Sequence, residues 1–380
     1  MRRFFLLIIP VWFVACAAQP QPEEETEAVR GVWLTNVASD VLRSNANIEG
    51  AVELLDSMGF NSIFVVTWNR GFTLYPSAVM DTLTGQKIDP LYINRDPLQE
   101  VIEAAHARNI KVFAWFEFGF ASSYRENGGV LLNKHPEWAA RDKHGAIAEK
   151  NGFEWMNGLH PEVQNFLLSL VLEVVENYEV DGIQGDDRLP AMPSNGGYSE
   201  FNRSLYANEH AGAQPPDYEK DYAWVQWRAQ KLSEFAKLLF QKVKAADPDC
   251  IVSMAPSIFP WSEENYLQDW PTWVRQGYVD LVIPQLYRYD IDAYKKLLLE
   301  ITSWQLAEED LNKFYPGVLL QVDDYNPDQE FLEEMIRWNR EFGIEGEVFF
   351  FYEGIKKFRD FWPEIYPERA AIPKFIDVNH

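Results

Sequence analysis

Two adjacent carboxylates end the run Asp181-Gly182-Ile183-Gln184-Gly185-Asp186-Asp187. The run follows a helical pattern over 163–178 and reads as a short strand. Strand side chains alternate, so Gln184 and Asp186 share one face while Ile183 and Gly185 take the other. A polar strand face ending in acid suits a barrel strand whose C-terminal end opens into an active site. Two carboxylates there point to acid/base or nucleophilic chemistry on a polar substrate. Asp186 is expected to face the mouth as nucleophile or charge stabiliser. Asp187 turns toward the loop, where it joins the chemistry or caps the next turn.

Glu117 closes another strand-like run, on the face of Phe113 and Trp115. Apolar neighbours desolvate a carboxylate and raise its pKa, which suits a general acid near neutral pH. The competing arrangement pairs Glu117 with a loop arginine, Arg125 or Arg188. Glu353, after Phe349-Phe350-Phe351-Tyr352, is the second choice for the acid. Asp323, beside Asp324, either contacts substrate or shapes the turn into Asn326-Pro327. Gln285, Tyr287 and Arg288 end a further run and either bond substrate hydroxyls or hold the acids in place. Trp33, Trp68 and Trp115 sit on the first three runs. Sugars present C–H faces that stack on aromatic rings, which makes Trp68 and Trp115 candidate substrate contacts. The chain holds 14 Trp, too many for one cleft, so at least half are expected to be packing.

Apolar strand-like runs occupy 31–35, 62–68, 111–117, 182–186, 251–255, 281–287, 317–322 and 347–352. Helical patterns over 48–58, 97–108, 161–178, 224–246, 265–276, 293–308 and 329–342 alternate with them. Eight strand-like runs alternating with helices predict a single α/β domain, a (β/α)8 TIM barrel over residues 30–356. The rival, an open doubly wound sheet, lacks its Gly-rich phosphate turn after the first strand. Long loops after strands 3 and 4, rich in Gly, Pro and aromatics, would both emerge on the C-terminal face and build a cleft. Residues 357–380 are expected to pack on the barrel as a C-terminal extension.

The net charge of −24 argues against nucleic acid as a partner. Six His form no i,i+4 pair and no Asp-rich calcium loop occurs, so neither metal nor cofactor is expected. The start of the chain is of another kind. Arg2-Arg3 precedes an apolar run over 4–15, too short to span a membrane and suited to a signal peptide over 1–15. Phe13-Val14-Ala15-Cys16 resembles a bacterial lipobox, which implies lipidation of Cys16. An acidic, Pro-rich tether follows through residue 29. The implied place is the bacterial cell envelope, exported and held to a membrane by a lipid anchor. Cys250, before an apolar run, is expected to be a buried structural thiol.

Several segments together resemble the glycosyl-hydrolase-like family 10 proteins, barrels of the broad alpha-amylase-like type. They are Arg30-Gly31-Val32-Trp33-Leu34-Thr35-Asn36, Leu74-Tyr75-Pro76-Ser77, Ala114-Trp115-Phe116-Glu117-Phe118-Gly119, Trp155-Met156-Asn157 with His160-Pro161-Glu162-Val163, the Asp181–Asp187 run, and Pro284-Gln285-Leu286-Tyr287-Arg288. The Asp-Gly-Ile-x-x-Asp-Asp piece also resembles the fourth strand of alpha-amylases, whose nucleophile falls on Asp186. Amylases carry Arg where this chain has Gln184, which leaves less positive charge for that nucleophile. The resemblance implies a glycoside hydrolase acting on a polysaccharide of the cell envelope, including peptidoglycan strands stripped of peptide. Asn36, Gln184, Gln285, Tyr287 and Arg288 are then expected near substrate. The alternative is a catalytically degenerate barrel that binds carbohydrate or serves as an envelope scaffold. A second carboxylate about 5–9.5 Å from Asp186 in the same cleft favours the enzyme. A salt-bridged Asp186 away from any cleft favours the binder.

Overall fold

The structure is a computed structural model and describes residues 26–375. Eight parallel strands form its core: β1 (Val29–Leu34), β2 (Ser62–Val66), β3 (Lys111–Trp115), β4 (Gly182–Asp186), β5 (Ile251–Ala255), β6 (Leu281–Val282), β7 (Gly317–Leu319) and β8 (Gly346–Phe350). Neighbours in sequence are neighbours in space, and β8 lies beside β1. The ring closes between β6 and β7, where Gly317 N–H donates to Pro284 O at 2.9 Å and Leu286 N–H to Gly317 O at 2.9 Å. The fold is therefore a (β/α)8 barrel.

The sixth strand is shorter than its apolar run suggests. Pro284 has no N–H to give to a ladder, so regular pairing stops at Val282 and resumes only as a bridge between Gln285 and Gly317. Seven helices alternate with the strands: α1 (Asn45–Ser57), α2 (Pro97–His106), α3 (Pro161–Asn177), α4 (Tyr222–Ala246), α5 (Trp270–Arg275), α6 (Ile291–Glu300) and α7 (Gln329–Glu341). Proline at the first turn starts α2 and α3, where its missing N–H costs nothing, and Asp96 caps the backbone N–H of Gln99. The helix expected over 265–276 is in fact split. Leu267 adopts a left-handed φ of 60° and ends the helix Trp261–Tyr266, and α5 restarts after the Asp269 cap.

Aromatic side chains fill the barrel in layers. Phe64 stacks on Phe113 at 4.5 Å, and above them Trp33 meets Trp115 at 6.3 Å and Phe350 at 6.0 Å. Beneath the strands Trp362 is buried against Phe60 and Phe349, and Ala28 N–H donates to Ala371 O at 2.9 Å. Burial pushes the Cys250 thiol up to about 12, which leaves it an inert packing group. The long loop after β3 folds into a three-stranded antiparallel sheet of Ala121–Tyr124, Glu149–Lys150 and Phe153–Trp155. The signal run, Cys16 and most of the tether lie outside the described residues.

Candidate active site

Asp186 is the last residue of β4, and its side chain is 4% exposed at the floor of a cavity of about 190 Å³. Trp33, Trp115 and Phe350 form the apolar floor, Phe153 closes one wall, and Glu117, Asp187, Arg188, Gln285 and Tyr287 supply the polar groups. Two glycines allow this packing. A Cβ on Gly185 would meet Leu189 O and Met254 Sδ, both at 2.4 Å. Gly119, with φ of +47°, lets the Arg188 backbone pass at 2.1 Å from where a Cβ would stand. Phe120 N–H then donates to Arg188 O at 2.9 Å, fixing the β4 loop against the β3 loop.

Arg188 organises the acids. Its Nη2 lies 3.0 Å from Asp186 Oδ2 and 3.3 Å from Glu117 Oε1, and its Nη1 lies 2.8 Å from Asp187 Oδ1. The guanidinium also donates through Nε to Glu117 O at 3.0 Å and stacks over Phe153 at 4.8 Å. One nitrogen touching both carboxylates keeps their nearest oxygens no more than about 6.3 Å apart, a limit compatible with the ~5–9.5 Å of paired glycosidase carboxylates. The second oxygen of each acid is held too. Gln285 Nε2 donates to Asp186 Oδ1 at 2.9 Å, and Asn69 Nδ2 donates to Glu117 Oε2.

Three carboxyls share one cation. Burial pushes Asp186 well above the usual carboxylate range, the Asp187 charge pushes it further, and Arg188 opposes both. Glu117 is raised chiefly by burial, against Arg188, and so is Asp187. Burial works against the Arg188 charge, but the three carboxylates outweigh it and hold the guanidinium ionised. Burial thus favours keeping a proton within the trio, most strongly on Asp186, so a nucleophilic Asp186 must first give up its proton, with Arg188 and Gln285 stabilising the anion. Tyr287 is also raised, first by burial and then by Asp186 and Asp187, and stays a neutral phenol.

The remaining residues singled out from the sequence divide. Trp115, Gln285 and Tyr287 line the cavity with Asp186, Asp187 and Glu117. Gln184 lies beneath it, fully buried, accepting from Trp33 Nε1 at 2.7 Å and donating to Ser253 Oγ at 3.0 Å. It positions the floor and cannot reach substrate. Trp68 is a packing residue as well, its indole N–H on Gly119 O at 3.0 Å and its ring edge-on to Phe166. Glu353 does not reach the cavity. It lies in the first turn of the helix Tyr352–Ile355, accepts from Ser39 Oγ at 2.7 Å and pairs with Lys356. Asp323 is exposed in the turn closed by Val322 and Tyr325, and Arg288 donates to its neighbour Tyr287 O. Asn36 is half-buried, its Oδ1 without a partner among the described residues.

The alternative for Glu117, pairing with Arg188, is realised, and it lies inside the site. The role of Arg188 as a shared counter-ion was missed, because it stands in the turn over 187–190, where strand alternation no longer fixes direction. Asn69 and Phe153 lie on short strands outside the eight of the barrel, too short for a periodicity to announce direction.

The family model for glycosyl hydrolase-like 10 matches residues 28–316. The chain belongs to this family. Glycosyl hydrolase YngK of Bacillus subtilis (strain 168) is 24% identical over 326 residues, 75% of this chain and 59% of YngK. Glycosyl hydrolase DigH of Escherichia coli (strain K12) is 26% identical over 323 residues, 71% of this chain and 70% of DigH. The match thus spans less than two thirds of YngK. Among solved structures, the PgaB (BpsB) glycoside hydrolase domain from Bordetella bronchiseptica superimposes with a TM-score of 0.67 at 13% identity, covering 88% of this chain and 98% of that one. The catalytic domain of beta-amylase from Paenibacillus polymyxa gives 0.60 at 10% identity, covering 89% and 98%. The family supports a glycosidase-type function, and these neighbours share the barrel.

Proposed function

We propose that this chain is a glycoside hydrolase acting on a cell-envelope polysaccharide, with Asp186 as nucleophile and Glu117 as general acid. The observation that carries the reading is the pair of buried carboxylates bridged by Arg188 on an aromatic floor. Two carboxylates bridged by one nitrogen are close enough for the ~5–5.5 Å geometry of retaining enzymes, and we take the retaining scheme as the one to test. In that scheme Asp186 attacks the anomeric carbon while Glu117 protonates the departing oxygen. Glu117 then takes a proton from the water that releases the sugar from Asp186. Arg188 and Gln285 hold Asp186 in line, and Arg188 and Asn69 hold Glu117. Tyr287 faces the acids as a neutral hydroxyl able to bond the sugar. The salt-bridged Asp186 stays inside the cleft, which favours the enzyme over the scaffold reading.

Peptidoglycan strands stripped of peptide are the first substrate to try, because activity in the resembling family is directed at them. Export and a lipid anchor on Cys16 belong to the same proposal and rest on the lipobox-like run. The test is incubation of the soluble body with a panel of envelope glycans, followed by mass spectrometry. Products should appear with the parent chain and vanish with Asp186→Asn, whose thermal transition should remain. Near-normal turnover by a folded Asp186→Asn protein refutes the mechanism. Proton NMR of the first-formed anomer should show retention, and inversion would remove the nucleophile role.

A further inference from the structure

Beside the acidic cavity stand two cations that the catalytic scheme does not use. Lys150 comes from the loop after β3 and Lys220 from the loop after β4, and both point at Asn265 in the loop after β5. Lys150 Nζ donates to Asn265 O at 3.0 Å and Oδ1 at 3.1 Å, and Lys220 Nζ reaches the same Oδ1 at 3.0 Å. Among the described residues neither lysine has a carboxylate within ion-pair distance. Two like charges on one neutral oxygen repel each other and gain no counter-charge, which is a poor arrangement for stability alone. Burial and the neighbouring Lys220 together bring Lys150 down to about 8, against the opposing charge of Glu219.

Aromatic surface surrounds the pair. Lys150 Nζ lies 4.6 Å from the Tyr266 ring and 5.9 Å from that of Trp261, which is 43% exposed. Lys150 is also the strand partner of Phe153, the residue that walls the cavity and stacks on Arg188. Tyr266 joins the two regions, since the Asp187 charge, after burial, helps raise its hydroxyl to about 12. An exposed indole near one ammonium group that shares Asn265 with a second, linked to the acidic cavity through Phe153 and Tyr266, is the composition of a subsite for an acidic sugar. The need for such a subsite is plain from the whole-chain charge of −24, which repels any polyanionic glycan unless cations are placed locally.

We propose that Lys150, Lys220 and Trp261 form a subsite that binds a carboxylate-bearing sugar of the glycan and so selects acidic strands. The inference rests on the glycoside hydrolase reading above and names the substrate's charge. Lys150 uses two of its three donors on Asn265 and Lys220 uses one, so both retain N–H groups for a carboxylate.

The test uses Asp186→Asn protein to prevent turnover, with peptide-free peptidoglycan strands and the same strands after reduction of their carboxyl groups to alcohols. Calorimetry at low salt should show the acidic strand bound about fivefold or more tightly, as charge-assisted hydrogen bonds predict, with the preference shrinking as salt rises. Lys220→Gln, at an exposed position, should bring the two affinities together, while Lys150→Arg, which keeps the charge, should preserve the preference. Equal binding of the two strands, or no binding of the acidic one, overturns the subsite. Cleavage of the reduced strand at an unreduced rate by the parent chain would also overturn it, yet leave the catalytic proposal standing.

Discussion

Arg188 is the residue whose loss tests the electrostatics of the site most directly. Arg188→Gln removes one cation from three carboxyls. The side chains concerned are 12% exposed for Arg188 and 4, 16 and 20% for Asp186, Glu117 and Asp187. At that burial the relevant scale is a broken buried ion pair, about 3–5 kcal/mol, and not the small value of a surface bridge. With about 2.1 cal/mol/K of unfolding entropy per residue, a chain of this size should lose about 4–7 °C in Tm near neutral pH. The deficit should depend on pH with a definite sign. Arg188 lowers all three acids in the folded state, so its removal lets burial raise them further above their ordinary values. The folded variant then binds more protons than the unfolded chain in the window above a carboxyl pKa of about 4, and its stability falls as pH rises through that window. Below it the carboxyls are neutral in both states, and most of the deficit should vanish. The assay is calorimetric Tm of both proteins from about pH 3 to 8, with Arg188→Lys as a variant that keeps charge but loses the fork. A deficit that is constant across this range would show that Arg188 acts through packing alone, and the shared-counter-ion account would be wrong.

Other outcomes follow from the same geometry. Glu117→Gln should slow hydrolysis of a natural glycan by about 100- to 10,000-fold while sparing aryl glycosides, whose leaving groups need little protonation; equal losses on both substrates would remove Glu117 as the acid. Trp115→Ala should weaken oligosaccharide binding, because its ring lines the cavity, whereas Trp68→Ala should cost about 3–5 kcal/mol in denaturant unfolding and act on stability first; the reverse pattern would contradict the assignment of floor and packing roles. Metabolic labelling with a fatty acid should mark the full chain but not Cys16→Ser, and equal labelling would end the lipid-anchor proposal.

The barrel was legible because its signal is repeated. Eight apolar runs and the helices between them give the same answer independently, and an error in one, such as the split helix at Leu267, does not change the fold. The run 281–287 shows the limit. Its apolar residues are buried as expected, but Pro284 breaks the ladder, and hydropathy alone does not register a missing N–H. Asp186 was legible for a related reason: strand alternation fixes where a side chain points, and the end of a barrel strand is the cavity. Glu117 followed by the same rule from the third strand.

Beyond strand ends this rule loses its grip. Glu353 looked equivalent to Glu117, each following an aromatic strand, yet Glu353 lies in the helix Tyr352–Ile355, whose turn carries it to Ser39 and Lys356. Gln184 has the right face but the wrong height. It sits one strand step below Asp186, where Trp33 and Ser253 consume its amide, so sharing a face with a catalytic acid does not grant access to substrate. Arg188 lies past the strand end, in the turn over 187–190, and reaches back to pair with Asp186, Glu117 and Asp187. Buried carboxyls are costly unless each is partnered, and this one guanidinium partners all three at the cavity. Strand alternation therefore locates the acid, while the cation that makes its burial tolerable comes from a turn that alternation does not describe.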